Sequence, residues 1–249
     1  MFTADKVREV REAIKPPFMA LFLYGSHARG DAQDSSDIDV LQVTPTHTAP
    51  YAVGQVNVTC YTLGQLLRIA RQGGLFARHL IEEALPLADS SGVLEALRSA
   101  YVRPLDYHEV KREVRGCAPL LDVADHGFNE NADGLSSLVS YLIRTYLYAT
   151  AFDCGAKSFA MGHVLELLGQ QRARIILSNA RSLRSISAFC AARTFFEELT
   201  GTTCQRKEGS LEAFVVNASA NNELAVVLGL RLLARGRPFT YDALLDVEF

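Results

Sequence analysis

Charged and apolar residues alternate at helical spacing over residues 5–15, where Val7, Val10, Ala13 and Ile14 recur among acids and bases. That pattern predicts a first amphipathic helix, with Thr3 placed to cap it. Pro16-Pro17 ends it, since proline lacks a backbone donor and biases its predecessor away from helix. Residues 18–24 form a short, almost wholly apolar run, as in a strand buried on both faces. Residues 37–43 predict a second strand with alternate side chains on opposite faces. Residues 53–62, rich in β-branched and aromatic side chains, predict a third. The period then turns helical over residues 63–72 and 75–83, divided by Gly73-Gly74, and residues 85–88 return to the sheet.

From Gly92 onward strands almost vanish. Apolar residues recur every three to four positions over residues 93–101, 107–123, 135–154, 159–169, 171–199 and 221–235, while residues 201–210 read as a polar loop. The change near Arg103-Pro104 divides the chain in two. Residues 1–104 are expected to form an α/β domain with a mixed sheet, and residues 105–249 an all-α helical bundle that receives a substrate or partner.

At 249 residues with 49% apolar side chains, both parts have enough material for a core. No stretch approaches the roughly 18 uninterrupted apolar residues of a membrane span, and no basic start leads into a long apolar run. The expectation is a cytoplasmic protein with no membrane partner. Five scattered cysteines without a C-x-x-C spacing suggest reduced thiols rather than a disulfide frame or a zinc site. A formal net charge of −3 argues against a surface built wholly for nucleic acid, yet leaves room for a local basic patch.

The candidate for such a patch is Arg172, Arg174, Arg181, Arg184 and Arg193, with no acid among them, extended by Arg206, Lys207, Arg231, Arg235 and Arg237 if these fold nearby. A phosphate-bearing acceptor would suit it. A solvated helix face paired with acids on neighbouring helices explains the same residues and carries more weight. Tyr141, Tyr146, Tyr148 and Phe152 read as core, and His163 as a partly buried helix residue.

The chemistry concentrates in residues 21–43. Gly25 ends an apolar strand where the chain must turn sharply, and lacking a Cβ it can let a phosphate approach the backbone. Ser26 adds a hydroxyl beside the exposed amides. If a helix begins there, those amides and its dipole favour an anion. Ten residues separate Ser26 from Asp37. Asp37 and Asp39, two apart on a strand, project from one face about 6 to 7 Å apart. Two like charges so placed are kept chiefly where cations bridge them, and hard oxygen ligands beside phosphates favour Mg²⁺. Asp37 flanked by Ser35-Ser36 is also compatible with a solvated loop whose amides the carboxylate satisfies. Arg29 offers a planar fork for phosphate, or pairs with Asp31 or Asp34.

Together these residues resemble the signature of the DNA polymerase β-like nucleotidyltransferase superfamily, a Gly-Ser pair followed ten residues later by D-x-D, as in minimal and aminoglycoside nucleotidyltransferases. The resemblance implies Gly25, Ser26, Arg29 and Ser36 at the nucleoside triphosphate. It implies Asp37 and Asp39 as catalytic Mg²⁺ ligands, with two ions. The acceptor hydroxyl attacks the α-phosphate and pyrophosphate leaves. Acceptors in the superfamily include small molecules such as aminoglycosides, proteins and RNA ends. The layout of a catalytic domain followed by a bundle favours a small molecule slightly. The active site is expected between the two domains, and the apolar helices permit a homodimer without demanding one.

One position departs from the pattern. A third carboxylate is expected on the following strand, where this chain has Asn57, an amide that can ligate a metal but cannot act as a base. Three explanations follow. The bundle supplies the base, with Asp106 and Glu109 as candidates; the protein binds nucleotide without transferring it efficiently; or Glu82 or Glu83 lies nearer the site than the strand order suggests.

Overall fold

A computed structural model describes residues 4–34, 36–123, 125–182 and 185–234. Thr3, Ser35, Arg184, Arg235 and Arg237 lie outside the described residues, as does the side chain of Arg181. The chain forms two compact units. One runs to Leu105 and includes Ser158–Ala160, and the other comprises the remaining residues from Asp106 onward.

In the first unit, helix α1 (Ala4–Ala13) turns Val10 and Ala13 inward. Strand β1 (Ala20–Tyr24) is buried at every position, as its unbroken apolar run demands. A single helical turn, α2 (Ser26–Arg29), follows, then β2 (Ile38–Thr44), β3 (Tyr51–Val53) and β4 (Val56–Thr62). Helices α3 (Leu63–Arg71) and α4 (Leu75–Glu83), strand β5 (Leu85–Ala88) and helix α5 (Val93–Ala100) complete it. Among the described residues the strands form one sheet in the order β3-β4-β2-β1-β5, in which β2 and β4 are parallel and the other pairs antiparallel. The sheet is mixed.

Alternation sorts the sheet into two faces. Leu21, Leu23, Ile38, Val40, Val56 and Val58 share one face and pack with Val10 and Ala13 of α1. The other face carries Phe22, Tyr24, Asp39, Leu41, Asn57, Thr59 and Tyr61, and Phe76 of α4 lies against Tyr24 and Tyr61. The β4-to-α3 junction is fixed by a capping box, in which Thr62 accepts from the Gln65 amide and Gln65 accepts from the Thr62 amide.

Every regular element among the second unit's described residues is helical: α6 (His108–Gly116), a 3₁₀ turn (Ala118–Leu121), α7 (Asp125–Glu130), α8 (Ala132–Asp153), α9 (Met161–Leu167), α10 (Arg172–Ser182), α11 (Ile186–Thr200), α12 (Leu211–Ala218) and α13 (Glu223–Leu233). Its core gathers Leu138, Leu142 and Leu147 of α8 with Phe128, Phe189, Phe196 and Leu228. No helix of the described residues is long and apolar enough to cross a membrane.

Several elements differ from the sequence reading. The expected strand at residues 53–62 is two strands, because Gly54 takes φ +58° and turns the chain between β3 and β4. The segment 107–123 is α6 followed by a 3₁₀ turn with Pro119 in its first positions, and the segment 171–199 is divided into α10 and α11. Helices α7 and α12 carry no counterpart among the predicted elements.

Candidate active site

At the end of β1 the backbone leaves the sheet through Gly25, whose φ of 73° and ψ of −153° lie in a region open essentially to glycine alone. A Cβ added there would stand 2.8 Å from Asp39 Oδ2, so the turn presses against that carboxylate. Helix α2 then runs for one turn, its first closing bond being Arg29 N–H to the Gly25 carbonyl. The amides that precede this bond have no partner within the helix. Gly30, at φ 81°, ends the turn by donating to the Ser26 carbonyl.

The loop that follows is tied from within. Ser36 and Gln33 exchange two bonds, Ser36 N–H to the Gln33 carbonyl and Gln33 N–H to Ser36 Oγ, each 2.9 Å. The buried His27 ring reaches the Ser36 carbonyl at 3.2 Å. The same Nε2 lies 3.5 Å from Lys6 Nζ; the carbonyl contact needs a proton on Nε2 and the lysine contact a lone pair there, so the tautomer decides which of the two is made. The chain enters β2 at Ile38, so Asp37 sits exposed just before the strand and Asp39, partly exposed, within it.

Sheet register builds a row across three adjacent strands: Tyr24 of β1 stands opposite Asp39 of β2, and Asp39 opposite Asn57 of β4. Paired residues share a face, and neighbouring strands lie about 4.8 Å apart, so Asn57 is the side chain directly beside Asp39. Thr59 continues the face, but its hydroxyl is buried and bonded to Tyr24 Oη at 2.8 Å. Tyr61 is buried against Phe76. Neither hydroxyl stands in for a carboxylate.

Beside Tyr24, α4 supplies His79, edge-on to the tyrosine ring at 5.7 Å and stacked on Phe159 at 4.4 Å. One turn further, Glu83 is 8% exposed at its side chain and receives Arg29 Nη1 at 2.9 Å, the Phe159 amide at 2.7 Å and Ser158 Oγ at 3.0 Å. His79 Nε2 lies 3.2 Å from the same carboxylate, close enough for an ion pair but off the line of a good hydrogen bond. Burial opposes ionisation of Glu83. Its contacts with His79, the Phe159 amide and Arg29 outweigh that and hold the carboxyl at about 2. Arg29 also reaches Asp31 at 3.2 Å, so both acids hold its cation against burial.

The structure thus brings Gly25, Asp39 and Asn57 together, with Ser26 opening α2 and Asp37 at the mouth of β2. Ser36 serves the loop's own closure. Arg29 is engaged by Glu83 and Asp31, and of the two glutamates weighed from sequence it is Glu83 that reaches α2. Asp106 and Glu109 belong to the helical unit, exposed; bonds from the His108 amide and ring to Asp106, and from Arg112 to Glu109, lower both below the usual carboxylate range. Arg172 pairs with Glu198 at 2.8 Å, as a solvated helix face would, and Arg206 bonds Asp122. His79, Phe159 and Ser158 are the surrounding residues that sequence spacing did not mark.

Among the described residues no group of three or more His, Cys, Asp or Glu is placed to hold a metal. Two carboxylates and an amide suit Mg²⁺, which keeps several waters and takes phosphate oxygens of its substrate as ligands. Residues 5–76 match the family model described as a nucleotidyltransferase domain. No curated protein matches the chain. The match to a nucleotidyltransferase domain is consistent with the DNA polymerase β-like superfamily, and it falls in the unit built on the mixed sheet, which a helical part follows.

Proposed function

We propose that this nucleotidyltransferase domain binds a nucleoside triphosphate with Mg²⁺ and transfers the nucleoside monophosphate to an acceptor hydroxyl. The observation that carries the reading is the close approach of Asp39 to Gly25, where an added Cβ would stand 2.8 Å from Oδ2, which sets a glycine turn suited to phosphate beside a carboxylate suited to the phosphate's cation. The amides of Gly25 and Ser26 and the Ser26 hydroxyl receive phosphate oxygens. Asp37 and Asp39 hold Mg²⁺, which when bound offsets phosphate charge and aligns attacking and leaving oxygens. The acceptor oxygen gives its proton to water as it forms a bond to the α-phosphorus, the bond to the bridging oxygen breaks, and pyrophosphate leaves. A small molecule such as an aminoglycoside is the acceptor class we favour over a protein or an RNA end, on the layout of catalytic domain plus helical bundle.

A second reading rests on Asn57. Standing beside Asp39 without charge or basicity, it favours a protein that binds Mg-nucleotide and transfers slowly or not at all. Incubation with Mg²⁺, each α-labelled NTP and a panel of aminoglycosides separates the two. Labelled acceptor that disappears in Asp39→Ala supports transfer. Nucleotide binding without labelled acceptor supports the second reading, and binding unaffected by Asp37→Ala and Asp39→Ala would sink both.

A further inference from the structure

Helix α2 has only four residues, a glycine at each end, and no side-chain cap at its N-terminus. A turn so short does not hold itself, since isolated helices below roughly 12 residues are marginal in water. Its orientation, and with it the aim of the Gly25-Ser26 amides, must come from outside. Two ties reach it across the chain. The His27 ring bonds the Ser36 carbonyl, and Arg29 at the far end of the turn bonds Glu83.

Of the two, the Glu83 tie is the more heavily built. Three donors converge on one carboxylate, Arg29 from α2 and Ser158 and the Phe159 amide from the segment between α8 and α9, while His79 of α4 lies 3.2 Å from it. That segment, Ser158–Ala160, packs as part of the first unit although α8 and α9 belong to the second. Ser158 Oγ donates to Glu83 and accepts from the Ala160 amide, so the segment is set in a defined turn as it meets the carboxylate. Phe159, 2% exposed, stacks on His79 and closes the cluster from the same side.

We propose that Glu83 is a positioning residue for the nucleotide. Through Arg29 it holds α2 so that the Gly25-Ser26 turn faces the phosphates, and the segment Ser158–Ala160 is the seat that keeps the carboxylate in place. The inference rests on the nucleotide-binding reading above. It assigns Arg29 a role within the protein, as the link between Glu83 and α2.

Glu83→Gln keeps the size and one acceptor oxygen but sets an amide nitrogen against one of its donors. Titration of the whole 249-residue chain with the four Mg-NTPs, below the unfolding midpoint of each variant, provides the test. Wild type is expected to bind at least one nucleotide, and Glu83→Gln to weaken that binding roughly tenfold or more, as loss of a charge-assisted bond implies. Arg29→Ala should weaken it similarly, and the double variant no further, because both act along one path. Ser158→Ala, which leaves the charge and removes one donor, should show a smaller loss in the same direction and keeps the test open if Glu83→Gln does not fold. A lowered unfolding midpoint with unchanged nucleotide affinity would overturn the inference, as would additive losses in the double variant. If wild type binds none of the nucleotides, the nucleotide-binding reading falls first and this inference with it.

Discussion

Gly25→Ala concentrates the site's geometry in one methyl group. Backbone at φ 73° and ψ −153° costs alanine about 1–3 kcal/mol. The added Cβ would meet Asp39 Oδ2 at 2.8 Å, so reaching an ordinary contact of 3.4 Å requires a retreat of 0.6 Å (3.4 − 2.8). A displacement of that size exceeds the roughly 0.5 Å tolerance of a productive site and approaches the 1 Å that can cost on the order of 10²-fold. Thr62→Ala provides the control, since loss of its capping box costs about 1 kcal/mol at the opposite end of β4 from Asn57. Urea unfolding followed by circular dichroism should show both variants destabilised. Transfer of α-labelled NMP, or Mg-nucleotide affinity if no acceptor is labelled, should fall ten- to a hundredfold in Gly25→Ala and stay near wild type in Thr62→Ala. A Gly25→Ala protein that is stable and unimpaired would refute the close approach of turn and carboxylate, and with it the metal-and-phosphate reading of the pair.

Glu83, held at about 2 against an ordinary value of 4.5, should contribute stability that is fully present above pH 5 and lost as pH falls towards 2, at most roughly 3 kcal/mol. Urea midpoints at neutral pH and near pH 3 should differ by more in wild type than in Glu83→Gln, and equal slopes would contradict the assignment. Asn57→Asp restores a carboxylate beside Asp39 and should raise transfer by about 10²-fold or more if the position is where the acceptor proton goes; unchanged rates in labelled-NTP assays would place the base elsewhere. In the helical unit, a Cβ on Gly116 would fall 2.1 Å from Asn222 Nδ2, which bonds the Glu113 carbonyl at 3.0 Å while Asn222 Oδ1 caps α13. Gly116→Ala should therefore cost about 1–3 kcal/mol in chemical unfolding, and Asn222→Ala in the same background should add little.

Where local chemistry decides an element, the sequence carried it. The apolar run of β1, the alternation of β2 and the punctuation at Gly73-Gly74 all recur in the fold. Gly54 was hidden by β-branched and aromatic residues on both sides, so a hairpin read as one strand. Residues 171–199 read as continuous because apolar spacing keeps its period across the break, and a period alone does not show where a helix stops. The Gly25, Asp39 and Asn57 cluster was legible because spacing and strand alternation fix which residues share a face. The Arg29–Glu83 pair was not. Its members stand 54 positions apart, and Ser158 stands 75 from Glu83, distances at which only the packed fold selects a partner.

The presence of Ser158–Ala160 in the first unit bears on how the protein can be taken apart. A fragment ending at Leu105 would keep the strands and α2 yet lose two donors to Glu83, leaving a buried charge short of partners. A chimera that exchanged everything after residue 105 would import a foreign turn at the same carboxylate. Cutting or grafting at the point where the residue pattern changes therefore severs the first unit from part of its own frame; a module meant to stand alone must bring those three residues with it.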